Sequence, residues 1–169
     1  MTKNILIPYA TYTGSTAEVA EEIGKVLTAR GFNVKTQPAK TVKDLKGYDA
    51  VVLGSAVRIG KTNADAQAFM QRHAKALAGL PLAIFVVCLT MKDPTEENCA
   101  TVDGYLTQLK AKAPGVQPVA EAKFAGVFEI ERLSGIWKWT MSKGELEQGD
   151  FRNWDEIRAW AESLVVKLS

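Results

Sequence analysis

The chain has 169 residues, 47% of them hydrophobic and 24% charged, which is the composition of a globular domain with its own apolar core. A net charge of +2 without any basic run argues against nucleic acid as a partner. One histidine and two cysteines without metal-ligand spacing predict no metal site, and they favour reduced thiols in a cytoplasmic protein. We expect residues 1–169 to form a single domain.

Five segments of the chain are predicted to be strands: residues 5–9, 32–36, 49–54 and 82–89, and a fifth within 119–128. The first, third and fourth of these are apolar on successive residues, which is typical of parallel strands covered on both faces. Apolar residues keep helical spacing over residues 16–29 and 63–78, and again after residues 96 and 153. This alternation predicts an α/β fold with a doubly wound parallel sheet of five strands and helices on both faces.

Local signals mark the ends of several helices. Residues 93–96 read Asp-Pro-Thr-Glu and predict Asp93 as a helix N-cap, with proline at the first helical position. Asn153 with a glutamate three residues later predicts a second capping box. Residues 41–45 predict only a weak helical turn.

His73 falls on the inward stripe of the helix over 63–78, so we interpret it as a packing residue rather than a catalytic one.

The segment Thr11-Tyr12-Thr13-Gly14-Ser15-Thr16 connects the first strand to the first helix. The N–H groups at a helix start have no backbone partners and carry partial positive charge, so this turn favours an anion, above all a phosphate. Hydroxyl side chains on both sides of Gly14 add donors, and the absence of lysine favours a monophosphate held by neutral groups. The alternative is an ordinary helix start capped by serine or threonine.

Three loops follow the carboxyl ends of predicted parallel strands, at residues 11–16, 55–62 and 89–93. Ligands of open α/β sheets bind outside these strand ends, near the point where the winding reverses. We therefore expect the three loops to converge on one site.

Residues 129–150 interrupt the alternation, because they are longer than a connection between a strand and a helix usually needs. One helical face of this insert is predicted to carry Leu133, Ile136, Trp137 and Met141. Trp139 lies on another side, among Arg132, Lys138 and Lys143. Tryptophan with lysine is typical of a membrane interface or of a surface that meets an apolar substrate. The alternative is a small helix packed on the body with two tryptophans in the seam.

Tyr9-Ala10 followed by residues 11–16 resembles the flavodoxin phosphate signature, an aromatic residue and Thr-x-Thr-Gly-x-Thr directly after the first strand. The resemblance covers essentially the whole chain. It implies the flavodoxin-like sheet with strand order 2-1-3-4-5, residues 129–150 as an insert after strand 5, and FMN as the cofactor. The implied contacts are Thr11, Tyr12, Thr13, Gly14, Ser15 and Thr16 at the phosphate, Ser55, Ala56, Val57, Arg58, Ile59 and Gly60 on one side of the isoalloxazine ring, and Leu89, Thr90 and Met91 on the other.

Further stretches are similar to one branch of that family, the flavodoxin-type protoporphyrinogen IX dehydrogenases. The first two are residues 54–60 and the pattern of Phe69, His73-Ala74 and Leu77. The tail is also similar, with a strand at Ala125-Gly126, an insert rich in aromatic and basic residues, and residues 149–154. That branch uses FMN to take hydrogens from the porphyrinogen and passes electrons to a quinone. The resemblance therefore implies an oxidoreductase acting on a hydrophobic small molecule or a quinone. The alternative is an FMN electron-transfer protein that docks on a redox protein partner.

The charge pattern departs from that of simple flavodoxins, which tend to be acidic and to stack aromatic rings on the flavin. This chain is slightly basic, neither ring loop contains an aromatic residue, and Arg58, Lys61 and Lys92 lie in or beside those loops. Positive charge there should raise the two-electron potential, so we expect a two-electron acceptor. No nucleophile or carboxylate pair stands out, and Arg58 is the candidate for positioning an anionic or electron-rich group.

Other ligand classes fit the sequence less well. Residues 54–62 nearly match a nucleotide-binding P-loop, but five residues instead of four separate the two glycines. A phospho-receiver domain needs an aspartate at the end of the third strand, where Gly54 and Ser55 stand. The longest apolar run is about half the length that spans a bilayer. We expect a cytoplasmic protein. Peripheral contact with the inner face of the membrane through residues 132–143 is an open alternative.

Overall fold

A computed structural model describes residues 1–169. Its strands are β1 (Asn4–Ala10), β2 (Asn33–Pro38), β3 (Ala50–Arg58), β4 (Lys61–Thr62), β5 (Leu82–Cys88), β6 (Ala120–Ala125), β7 (Val127–Phe128) and β8 (Gly149–Asp150). Its α-helices are α1 (Ser15–Ala29), α2 (Ala64–Leu77), α3 (Glu96–Lys110), α4 (Gly135–Ser142) and α5 (Trp154–Leu168). None of these helices has both the length and the apolar composition needed to cross a membrane.

The central sheet has the order β2-β1-β3-β5-β6, and all four of these pairings are parallel. Since β5 and β6 are its fourth and fifth strands, the predicted five-stranded sheet and its 2-1-3-4-5 order are confirmed. The remaining short strands lie outside this order: β4 pairs with the end of β3, and β7 pairs with β8.

Helices cover both faces of the sheet, as predicted. Neighbouring residues of β3 show the two layers, because alternate side chains point to opposite faces. Leu53 packs in a cluster with Phe69 of α2 and with residues of α3. Val52 packs in the other cluster with Ile23 of α1 and Leu164 of α5. Both faces are buried at the centre of the sheet, which explains why β1, β3 and β5 are mostly apolar, whereas the outer strands β2 and β6 carry polar residues.

Residues 55–62 were predicted to form a loop, and this prediction is wrong. Strand β3 continues to Arg58 because Ser55 and Ala56 still pair with β5. The chain then turns at Ile59 and Gly60, both with positive φ (49° and 68°), and returns as β4. Two consecutive residues with positive φ are typical of the tight turn of a β-hairpin. The segment after β3 that is expected to line the isoalloxazine ring is therefore a β-hairpin.

Two predicted helix details are also corrected. The N-cap of α3 is Thr95 and not Asp93, because the Thr95 hydroxyl accepts the N–H of Asn98 at 3.1 Å. The predicted turn over 41–45 is a 3₁₀ turn at Ala39–Thr41, and Val42 after it is extended. The helix cap predicted at Asn153 is confirmed, since its side chain accepts the N–H of Glu156 at 3.2 Å, but the return bond of a capping box, from the Asn153 N–H to the Glu156 carboxylate, is not formed.

His73 is a packing residue, as predicted. Its side chain is 6% exposed and its ring centroid lies 4.7 Å from that of Phe69. Burial lowers the pKa of His73 below its usual range, and the neighbouring Arg72 lowers it further. The imidazole is therefore neutral at pH 7, and it lies close to Val42 and Asp44 in the segment after the 3₁₀ turn.

Candidate functional site

A cleft of about 280 Å³ opens at the carboxyl edge of the sheet. Its walls come from the segment after β1, from the β3–β4 hairpin and from the 3₁₀ turn Leu89–Lys92 that follows β5. The predicted convergence of three segments on one site is therefore confirmed. The order of the sheet places β3 between β1 and β5, so the three strand ends are neighbours.

Ten of the residues expected to bind the cofactor line this cleft: Tyr12, Thr13, Ser15, Ala56, Val57, Arg58, Ile59, Gly60, Leu89 and Thr90. Five lie outside its lining: Thr11, Gly14, Thr16, Ser55 and Met91. Ser55 is fully buried, and its hydroxyl donates to the carbonyl of Ala56 at 2.9 Å and accepts the N–H of Asn63 at 3.0 Å. Its hydroxyl thus fastens the hairpin to the start of α2. Met91 packs against the apolar layer beneath α2 and α3.

The segment after β1 presents a donor-rich helix start. Gly14 is the N-cap of α1, has φ 95° and leaves the first turn without a side-chain cap. Thr11 does not cap the helix, because its hydroxyl accepts the N–H of Gly14 at 2.9 Å and so closes the loop. The hydroxyl of Thr16 is fully buried and has no hydrogen-bond partner within the protein. A buried hydroxyl beside uncapped N–H groups suits a bound anion.

Arg58 lies between two aromatic rings at the mouth of the cleft. Its guanidinium carbon is 4.0 Å from the ring centroid of Tyr12 and 4.9 Å from that of Trp137. Of the residues that line the cleft, Arg58 alone carries a formal charge at neutral pH. The nearby Lys92 is instead paired with the Glu147 carboxylate of the insert.

The insert forms one wall of the cleft. Leu133, Trp137 and Met141 face inward at four-residue spacing, and Leu146 joins them. Ile136 was predicted to share this face, and that prediction is wrong, because Ile136 is 73% exposed. Residues four apart lie on the same face of a helix. Because the face with Trp137 and Met141 points at the cleft, Ile136 lies on the outside. Trp139, at 61% exposure, also lies on the outer side, so the two tryptophans do not share a seam.

Two arginines fasten the insert and the segment after it to α1. Arg152 donates to the carbonyl of Ser15 and to the carboxylates of Glu18 and Asp150. Arg132 donates to Glu18 at 3.2 Å. Burial alone would raise the pKa of Glu18, but the hydrogen bonds from Arg152 and Arg132 outweigh it and lower the pKa. The hydrogen bond from Arg152 likewise lowers the pKa of Asp150.

Cys88 lies at the floor of the cleft and is a free thiol. Burial raises the pKa of Cys88 to about 11, so the group is protonated at neutral pH and is a poor nucleophile. No group of three or more histidine, cysteine, aspartate or glutamate side chains in the structure could hold a metal ion. The polar chemistry of the cleft therefore belongs to Arg58 and to hydroxyl and backbone groups.

Sequence reasoning assigned no cofactor contact to ten other lining residues: Val87, Cys88, Tyr105, Gly126, Val127, Phe128, Leu133, Trp137, Met141 and Leu146. The four-residue spacing of Leu133, Trp137 and Met141 was a usable signal for a shared face. Gly126 was part of the family resemblance but was given no role at the site, and Val127 and Phe128, which pair with β8, were given none either. Tyr105 lies in α3 and is brought to the cleft by tertiary packing alone.

Comparison with known proteins agrees with this architecture. Residues 6–152 match the family model described as flavodoxin domain. Protoporphyrinogen IX dehydrogenase (quinone) of Escherichia coli strain K12 is 28% identical over 171 residues, covering 95% of this chain and 93% of that protein. Oxidised flavodoxin 1 of Bacillus cereus superposes with a TM-score of 0.62 at 17% identity, covering 99% and 100% of the two chains. A flavodoxin variant of Pseudomonas aeruginosa gives 0.61 at 17% identity, covering 98% of each.

The parallel sheet, the donor-rich turn after β1 and the cleft at the carboxyl edge define a doubly wound α/β protein with a cleft where ligands of this fold class bind. The chain belongs to the flavodoxin domain family, whose model spans most of its length. Its cofactor is FMN. The residues present fit this cofactor, because the unpartnered Thr16 hydroxyl and the uncapped helix start suit a phosphate. The apolar cleft beside them suits a flat ring.

Proposed function

We propose that this chain is an FMN-dependent dehydrogenase that oxidises a hydrophobic small molecule such as protoporphyrinogen IX and passes the electrons to a quinone. The observation that carries the proposal is the apolar wall that the insert forms in the cleft. This wall lies beside residues 55–60 and 89–91, which are expected to line the isoalloxazine ring. A carrier that only docks on a protein needs no such wall. The E. coli relative named protoporphyrinogen IX dehydrogenase (quinone), matched over nearly its whole length, supports the same substrate class.

The proposed placement of FMN follows the donor types of the site. Neutral donors of Thr11, Thr13, Ser15 and Thr16, with the backbone at Gly14, would hold the phosphate group, and Tyr12 would lie beside it. The hairpin residues 55–60 would line one side of the ring system and residues 89–91 the other. When bound, FMN supplies the acceptor for two electrons and the accompanying hydrogen.

In this proposal the insert shields one side of the site from water. Leu133, Met141 and Leu146 are apolar, and together with Trp137 they close the side of the cleft that the sheet leaves open. Apolar walls favour the entry of a flat hydrophobic substrate, because they remove its surface from water. Arg58 is then the group that orients the polar edge of such a substrate.

An anaerobic assay with protoporphyrinogen and a quinone tests the proposal. The double variant Trp137→Ala with Met141→Ala removes the inner face of α4 and should abolish quinone-linked turnover while FMN content stays measurable. The matched control is Ile136→Ser with Trp139→Ser, which changes the exposed face of the same helix. Wild-type protein that shows no quinone-linked turnover, and whose reduction by a redox protein partner survives the inner-face change, would instead identify an electron-transfer protein.

The outer face of α4 supports a second proposal, that residues 132–143 contact a membrane surface peripherally. Ile136 and Trp139 expose large apolar side chains there, and the Lys143 ammonium lies 3.8 Å from the ring centroid of Trp139. Apolar side chains flanked by lysines suit the interface of an anionic bilayer. Sedimentation with vesicles of anionic and of neutral phospholipid tests this contact. The Ile136→Ser, Trp139→Ser protein should lose binding to the anionic vesicles, and unchanged binding would contradict the proposal.

A further inference from the structure

Arg58 is a cation without an anionic partner. No carboxylate lies within ion-pair distance of its guanidinium, and the side chain makes no hydrogen bond within the protein, whereas Lys92 and Arg152 are paired with carboxylates. Most of the residues around Arg58 in the cleft are apolar. A cation in such surroundings gains more from an anionic ligand than it would in water.

Two aromatic rings hold the guanidinium of Arg58 in place. The ring centroids of Tyr12 and Trp137 lie 4.0 and 4.9 Å from its guanidinium carbon. Cation–π contact does not use up the hydrogen-bonding capacity of a guanidinium, so the N–H donors of Arg58, none of which bonds within the protein, stay available for a ligand. An arginine held in this way is preorganised for two parallel hydrogen bonds to a carboxylate.

We propose that Arg58 makes the cleft selective for substrates that carry a carboxylate on an otherwise apolar ring system. Tyr12 and Trp137 are the positioning residues that hold the guanidinium in place. The inference rests on the proposed function, since it names the ligand chemistry of the same cleft. The phosphate of FMN offers Arg58 a second source of anionic oxygens, so the experiment separates the two.

The test measures equilibrium binding to FMN-loaded protein by calorimetry. The probes are a 1,4-naphthoquinone with a propionate side chain and the same quinone with a propionamide. The wild-type protein should bind the acid more tightly than the amide. Arg58→Gln should weaken binding of the acid by about tenfold and that of the amide much less. Arg58→Lys, which keeps the charge and loses the flat fork, should give an intermediate loss.

Lys61→Gln is the matched control, because Lys61 lies on the same hairpin and is exposed outside the cleft lining. It should change the affinity for the acid by less than about twofold, as expected for a screened charge. Equal losses for acid and amide in Arg58→Gln would overturn the inference. A loss in Lys61→Gln as large as that in Arg58→Gln would also overturn it.

Titration of the apoprotein with FMN and riboflavin separates the two anions. If Arg58→Gln weakens FMN binding and leaves riboflavin binding unchanged, Arg58 pairs with the cofactor phosphate and the inference is wrong. Similar affinities of wild type and variant for both flavins support it. A protein that reduces quinone but binds acid and amide equally well overturns the inference alone. A protein that prefers the acid through Arg58 but never oxidises a substrate overturns the proposed function alone.

Discussion

At the residue scale, Ile59 carries backbone strain at the edge of the cleft. Its φ of 49° lies in the left-handed region, which a β-branched side chain rarely adopts, and its side chain is 75% exposed. The hairpin therefore keeps an exposed apolar side chain in an unfavourable conformation. Strain of this kind is retained where the surrounding structure enforces it, and here the β3–β4 pairing does so.

Replacing Ile59 with asparagine should stabilise the protein by about 1 kcal/mol, because asparagine tolerates the left-handed region. Chemical denaturation of the two proteins measures the difference. Ile59→Val is the control, since valine is also β-branched and keeps the strain. An asparagine variant no more stable than the valine variant would show that the turn is not strained.

Arg58 should also set the potential of the site. A positive charge stabilises the two-electron reduced, more negative form of the cofactor, so Arg58→Gln should lower the two-electron midpoint potential by about 30 mV. Lys61→Gln should lower it less, because that lysine is exposed. A redox titration of the FMN-loaded proteins measures both changes. A strongly stabilised one-electron form and a very low second potential would contradict the expectation of a two-electron acceptor.

At the element scale, the insert is held to the body by charged contacts more than by burial. No residue of α4 is buried, whereas Glu18 of α1 binds both Arg132 and Arg152. The pKa values of Glu18 and Asp150 are lowered in the fold. Their contribution to stability is therefore complete above the ordinary carboxyl pKa of about 4 and is lost as the pH falls through the lower folded values.

Hydrogen exchange of the insert should consequently speed up below about pH 4, after correction for the intrinsic pH dependence of exchange. Glu18→Gln should show the faster exchange already at pH 7, because it removes the carboxylate that both arginines share. Glu162→Gln is the control, since its carboxylate pairs with Arg30 and has no contact with the insert. An insert equally protected at pH 7 in wild type and Glu18→Gln would contradict this account of its anchoring.

The sequence predicted the central elements well because their signals are local. Helix α1 and the apolar strands can each be recognised from a short window of residues. The order of the strands in the sheet follows from the family resemblance. The hairpin at residues 55–62 was not predicted. The end of β3 and the two residues of β4 are too short to show a hydrophobic periodicity of their own. Whether Trp137 or Ile136 faces the cleft depends on the orientation of α4 about its own axis. That orientation is visible only in the tertiary structure, where Leu133 and Met141 line the cleft.

At the scale of the whole molecule, the cleft combines segments that are distant in the sequence. The turn after β1, the hairpin after β3, the 3₁₀ turn after β5 and the insert after β6 contribute different chemistry. The first supplies neutral donors, the second a lone cation and the last an apolar wall. A site of this composition suits a phosphate-bearing flavin, and its apolar wall is the basis for proposing a hydrophobic substrate.

The central claim is that the bound flavin takes electrons directly from a hydrophobic small molecule. It is tested most directly by mixing FMN-loaded protein with protoporphyrinogen under anaerobic conditions and following the absorbance of the flavin. The account predicts that the absorbance of oxidised flavin disappears on mixing and returns when a quinone is added. Absorbance that protoporphyrinogen leaves unchanged, while a reduced redox protein bleaches it, would contradict the account.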